Sequence, residues 1–94
     1  MGNIKAVVRP YSRHKGPRIR VHVTARSGVH HTQMAAAARR ALQGIECPDY
    51  VNSITGESRP GKWSDVLTVP GTAGPLGHDA HTQQREYDAI ILPA

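Results

Sequence analysis

Apolar and polar residues alternate most regularly in Arg18-Ile-Arg-Val-His-Val-Thr-Ala-Arg26, where Ile19, Val21, Val23 and Ala25 share one face and Arg18, Arg20, His22, Thr24 and Arg26 the other. A period of two over nine residues predicts a half-buried β-strand with a cationic outer face. A weaker alternation over residues 3–9 predicts a partner strand, with Ile4, Ala6 and Val8 inward, Lys5 and Arg9 outward and Pro10 ending it. The polar segment between them, Tyr11-Ser-Arg-His-Lys-Gly-Pro17, reads as a basic loop of an antiparallel hairpin, with Arg13 and Lys15 projecting and Tyr11 at its root.

After Ser27-Gly28 the period lengthens. Thr32 to Gln43 is rich in alanine, arginine, glutamine and leucine and predicts a helix of about three turns, with Thr32 as N-cap and Gly44 as its stop. Met34, Ala35, Ala38, Ala41, Leu42 and Ile45 fall on its inner side, and the small alanines suit a close approach to a sheet. Beyond it, Tyr50–Thr55 and Trp63–Val69 read as short strands. Residues 70–84, rich in glycine and proline, read as one long loop, and the apolar run 87–93 as a strand near the middle of the sheet. The expectation is one domain over residues 1–94, an α+β fold in ββαβββ order with a mostly antiparallel sheet and one helix on one face.

Composition narrows the setting. There is no phenylalanine, and Trp63, Tyr11, Tyr50 and Tyr87 are the aromatic residues, so the core must be thin and a homodimer is one expected source of further stability. The lone Cys47 excludes an internal disulfide framework and fits a reducing, cytoplasmic setting. No apolar run near the start is long enough for a signal peptide or a membrane span, so no membrane partner is expected.

Charge changes the picture most. The net charge is +5, yet the first acidic residue is Glu46. All cations from Lys5 to Arg40 precede it, and the second half is net acidic. Such asymmetry points to a polyanionic or acidic partner. Phosphate backbones suit forked guanidinium groups spaced along a strand, and a tyrosine among them stacks on an unpaired base. The expected contact set is therefore Lys5, Arg9, Tyr11, Arg13, Lys15, Arg18, Arg20, His22 and Arg26, extended by Arg40 on the helix.

Two further constellations carry chemistry. Ser27, Gly28, His30 and His31 precede a helix with no acidic residue in its first turn, a setting that attracts anions. His78 and His81 in the long loop are candidate metal ligands, but a His-x-x-His pair lacks the third and fourth ligands that specify a site. Cys47 stands between Glu46 and Pro48, a neighbourhood unlike that of a reactive thiolate. No nucleophile elbow, phosphate loop or zincin motif is present, and no cofactor is expected. The leading expectation is a non-enzymatic module that engages nucleic acid or a nucleic-acid-handling complex. The alternative is a phage-type inhibitor or adaptor, anti-CRISPR proteins being one such kind, that binds an acidic protein surface. A metal-dependent enzyme using the histidine loop comes third.

Overall fold

The alternating stretch forms a strand as expected. In the computed structural model, which describes residues 4–9 and 18–94, β2 spans Arg18–Arg26 with Ile19, Val21, Val23 and Ala25 buried. It pairs antiparallel with β1 (Ile4–Val8), so that Val21 faces Val8 and Ala25 faces Ile4. Val7 departs from the apolar-inward rule in sequence only: it takes an outward position opposite His22. The expected hairpin loop with Tyr11, Arg13 and Lys15 lies outside the described residues.

The helix α1 covers His31–Gln43 and ends at Gly44, whose N–H donates to the Ala41 and Leu42 carbonyls. Its start corrects one expectation. His30, not Thr32, is the N-cap: its backbone is extended and its Nδ1 accepts the Thr32 N–H at 3.3 Å. An imidazole nitrogen serves here as the acceptor that a hydroxyl or carboxylate more often supplies. Met34, Ala37, Ala38 and Leu42 are buried against the sheet, whereas Ile45, expected inside, is exposed. It lies beyond the Gly44 cap, so it no longer follows the helical period.

The second half contains more strands than the three expected, five of them only two or three residues long and the last longer than expected. These are β3 (Tyr50–Val51), β4 (Ser58–Arg59), β5 (Gly61–Trp63), β6 (Leu67–Thr68), β7 (Gly74–Leu76) and β8 (Asp79–Pro93). The fold is α+β, one helix on a mostly antiparallel sheet, as read from sequence. The segment read as a strand over 63–69 is broken between Trp63 and Leu67, and β3 pairs with β4, which falls between the two expected strands.

The largest correction concerns residues 70–84, which form no structureless loop. They contain β7 and the first six residues of β8, joined through Gly77 at φ 61°, where glycine lacks the Cβ that opposes a left-handed backbone. Residues 79–84 carry no apolar alternation because their end of the strand is solvated. Backbone pairing holds them, with Arg26 opposite Thr82 and Ala25 opposite Gln83 on one edge and β7 on the other.

β8 is thus the central strand. β2 runs along one edge from Arg18↔Ile90 to Arg26↔Thr82, and β5, β6 and β7 share the opposite edge. One sheet face packs on α1 through Val21, Val23, Tyr87, Ala89, Met34, Ala38 and Leu42. Two polar atoms on this side, Tyr87 Oη and Arg85 Nε, are buried without a hydrogen-bond partner among the described residues. Burial pushes the Tyr87 phenol above its ordinary pKa, so it stays neutral.

Gly61 sets where the β3–β4 ribbon meets the sheet. A Cβ there would collide with the Pro48 carbonyl oxygen, approach Ile91 Cγ2 at 2.9 Å and the Tyr50 nitrogen at 3.1 Å. Two of these atoms are backbone and cannot turn aside. Gly61→Ala is therefore expected to cost about 1–3 kcal/mol in urea-induced unfolding, the usual range for an overpacked site. An unchanged midpoint would show that the ribbon does not cross there.

Candidate binding face

The face of the sheet opposite α1 has no covering element among the described residues, and residues directly opposite one another in antiparallel strands share a face. Register therefore assembles it in rows. Lys5, Thr24 and Gln84 form one row and Val7, His22 and Glu86 the next. Arg20 and Asp88 follow, with Arg9 beside Arg20 through its N–H bond to the Arg20 carbonyl, 2.9 Å. Arg18 lies opposite Ile90 at one end and Arg26 opposite Thr82 at the other.

The sheet brings Lys5, Arg9, Arg18, Arg20, His22 and Arg26 onto one surface, as the alternation predicts, but it does not leave them bare. Arg20 forks onto Asp88, Nε to Oδ1 at 2.8 Å and Nη2 to Oδ2 at 3.0 Å, and its Nη1 stands 3.3 Å from Glu86 Oε2. Glu86 Oε1 also meets Arg9 Nη2 at 3.5 Å and His22 Nδ1 at 3.3 Å. Arg18 Nη1 reaches Asp88 Oδ2 at 4.0 Å. The bond to Asp88 makes the Arg20 guanidinium still harder to deprotonate.

Both carboxylates are mostly covered by these cations, at 17% and 18% side-chain exposure, whereas Arg9 and Arg18 remain 60% and 54% exposed. The bidentate pair fixes the Arg20 guanidinium plane, and Arg9 and Arg18 stay at longer range with much of their guanidinium surface toward solvent. Lys5 and Arg26 form no ion pair among the described residues. Basic side chains outnumber carboxylates on the face, so it keeps a positive excess. Val7 at one border and Leu67, opposite Asp88 at the other, add exposed apolar surface, as does Ile90.

Arg40 does not extend this patch. It lies on the exposed side of α1, and the helix occupies the other side of the sheet. Its neighbour Arg39 pairs with Asp65 at 2.7 Å, and that guanidinium, together with the Val66 N–H, holds the Asp65 carboxyl below the usual range.

At the other end of β2, Arg26, Ser27, Gly28 and Val29 line an open hollow of about 490 Å³ that also includes His81. The Ser27 N–H donates to the His81 carbonyl at 2.9 Å, and Gln83 Nε2 donates to the carbonyls of Arg26 and Val29 at 2.8 Å. This turn is therefore held rigidly against β8. His30 and His31 stack with ring centroids 4.2 Å apart, but the His30 Nδ1 lone pair is committed to the cap.

His78 and His81 are not gathered with other ligands: among the described residues, no three His, Cys, Asp or Glu side chains are placed to share a metal ion. Asp79 between them is occupied by the His81 N–H and the Thr82 hydroxyl, both at 2.8 Å, which lower its pKa. Burial raises the Cys47 thiol, with Asp49 adding to the effect.

The chain matches no family model, no curated protein and no solved structure. No helix among the described residues is long and apolar enough to cross a membrane.

Glu86 and Asp88 are the residues of this face that charge counting along the chain missed. A signal was present: Gln84, Glu86 and Asp88 alternate with Arg85, Tyr87 and Ala89, so the acidic pair must share the face opposite the core. What the sequence could not supply was the pairing of β8 with β2 in this register, which folds the acidic half onto the basic half.

Proposed function

We propose that the chain is a non-enzymatic binding module whose open sheet face engages a nucleic acid strand. The supporting observation is a row of cations on a face that no described element covers, with Arg18 and Arg9 half-exposed beside Arg20 and with Lys5 and Arg26 unpaired among the described residues. Side chains two residues apart on a strand are ~6.5–7 Å apart, close to the phosphate repeat of a nucleic acid. Phosphates meet the exposed guanidinium N–H groups of Arg9 and Arg18 beside the Arg20 fork that Asp88 holds in place. The lone Cys47 suits a reducing, cytoplasmic setting for this role.

A second reading, an inhibitor or adaptor that docks on an acidic protein surface, is favoured by Val7, Leu67 and Ile90, because exposed aliphatic groups beside a charge network suit a protein interface better than a phosphate backbone.

Fluorescence anisotropy with generic single- and double-stranded oligonucleotides across a salt series tests the first reading. Removing Arg20 would strand Asp88 and Glu86, so the informative variant is Lys5→Ala/Arg18→Ala/Arg26→Ala. Its affinity at ~0.1 M salt is expected to fall at least tenfold with a shallower salt slope, as loss of phosphate contacts requires. Arg40→Ala is expected to bind like the parent. Equal losses in the two variants would mean only a diffuse charge effect. No binding of the parent at low salt would remove the nucleic-acid reading and leave the acidic-protein reading.

A further inference from the structure

The middle row of the open face is its least favourable part for an anion. Val7, His22 and Glu86 lie side by side there, with Arg9, Arg18 and Arg20 toward one end of the face and Lys5 and Arg26 toward the other. At ~3.3 Å per residue, Arg20 and Arg26 stand ~20 Å apart along β2. While His22 is neutral, the charge of the middle row is the Glu86 carboxylate. A phosphate strand crossing the face meets it at the centre of its path.

His22 is placed to change this. Its Nδ1 stands 3.3 Å from Glu86 Oε1, and its side chain keeps 24% exposure. A carboxylate only accepts, so in the neutral ring the proton sits on Nδ1 and Nε2 carries a lone pair. Nε2 has no hydrogen-bond partner among the described residues. Its lone pair repels a phosphate oxygen; protonation turns the same atom into a donor and adds a positive charge. The surrounding charges pull in both directions. Glu86 opposite on β8 and Asp88 two residues on favour the imidazolium, whereas Arg20 on β2 and Lys5 and Arg9 on the β1 side oppose it. Val69 and Thr72, which bond the Glu86 backbone from its other edge, are uncharged. Glu86 also serves Arg9 at 3.5 Å and Arg20 at 3.3 Å. One carboxylate does not neutralise three cations, so an imidazolium here stays available to an incoming phosphate.

We propose that His22 is a proton-controlled phosphate contact: nucleic acid binding at this face takes up a proton on His22, and affinity rises as the pH falls through the imidazole range. This rests on the nucleic-acid reading of the face and adds its regulation. A bound phosphate favours the charged ring, and by linkage the charged ring favours the phosphate by the same factor. Each phosphate contact contributes ~0.7–0.9 to the salt slope, so one further contact at ~0.1 M salt corresponds to roughly five- to eightfold in affinity.

Anisotropy titrations at about pH 8 and about pH 6 test it, with oligonucleotides lacking terminal phosphates, because imidazoles titrate in this range while nucleobases and phosphodiesters do not. The parent is expected to bind roughly five- to eightfold tighter at the lower pH, with a steeper salt slope. His22→Gln, whose amide still donates to Glu86, is expected to keep the parent circular dichroism spectrum. At both pH values it is expected to bind as the parent does at the higher one. His78→Gln, in the β7–β8 turn, is expected to keep the full response. As a second measurement, the His22 ring resonances are expected to titrate at higher pH in the complex than in the free protein. A parent that binds equally at both pH values overturns the proposal and leaves the nucleic-acid reading standing. So does a response that His22→Gln retains, or a His22 titration that the oligonucleotide does not move. A parent that binds no oligonucleotide at either pH removes the nucleic-acid reading and this contact with it.

Discussion

Replacing Glu86 with Gln and Asp88 with Asn together is expected to raise oligonucleotide affinity about tenfold and to steepen its salt dependence. The two carboxylates stand at the centre of the open face and compensate Arg9, Arg18, Arg20 and His22. A phosphate approaching those guanidinium groups also approaches Glu86 and Asp88. Like charges a few ångströms apart near a solvated surface repel by roughly 1 kcal/mol or more each, and about 1.4 kcal/mol is a factor of ten in affinity. The amides keep the side-chain shape and one acceptor oxygen, so Arg20 retains a hydrogen bond to position 88. The stability lost with the ion pairs is expected to be about 1 kcal/mol, the upper range for exposed pairs. Anisotropy titrations of the double variant beside the parent check this. An unchanged affinity would mean that nucleic acid does not contact this face. A reduced one would mean that the carboxylates themselves face the partner.

The largest expected loss of stability is at Met34. It is fully buried, as are Val21 and Val23, on the layer between α1 and the sheet. Many other helix positions facing that layer are alanines, namely Ala35, Ala37, Ala38 and Ala41, which bring the helix close but supply little volume. Nothing large stands ready to fill a gap. Met34→Ala is expected to cost about 2–5 kcal/mol, against ~5–15 kcal/mol for an ordinary domain. In a domain of this size that lowers Tm by about 10 °C or more. Thermal unfolding followed by circular dichroism measures it, and a loss below about 1 kcal/mol would show that α1 does not pack on the sheet through this residue.

Elements whose two faces meet different environments were legible in the sequence. β2 and α1 each bury one side and solvate the other, so the periods of Ile19–Ala25 and Met34–Leu42 appear directly in residue order. The N-terminal part of β8 was not legible, because His81, Thr82, Gln83 and Gln84 are held by backbone pairing on two edges and carry no apolar pattern. The short strands β3 to β7 are two or three residues long and leave no period to read. At the candidate face, the alternation placed Arg18, Arg20, His22 and Arg26 together. The partners of those residues depend on a register between strands more than sixty residues apart, which no local pattern encodes. The apparent charge dipole along the chain is for the same reason partly folded back on itself, through Glu86 and Asp88.

Amide chemical-shift mapping during titration of a short oligonucleotide into the isotope-labelled protein shows whether nucleic acid binds the open sheet face. Perturbations are expected at Lys5, Val7, Arg18, Arg20, Thr24, Arg26, Gln84 and Ile90, with α1 residues such as Gln33, Arg40 and Gln43 unmoved. Perturbations gathered on α1, or none at a protein concentration where binding is detected by anisotropy, would contradict binding at that face.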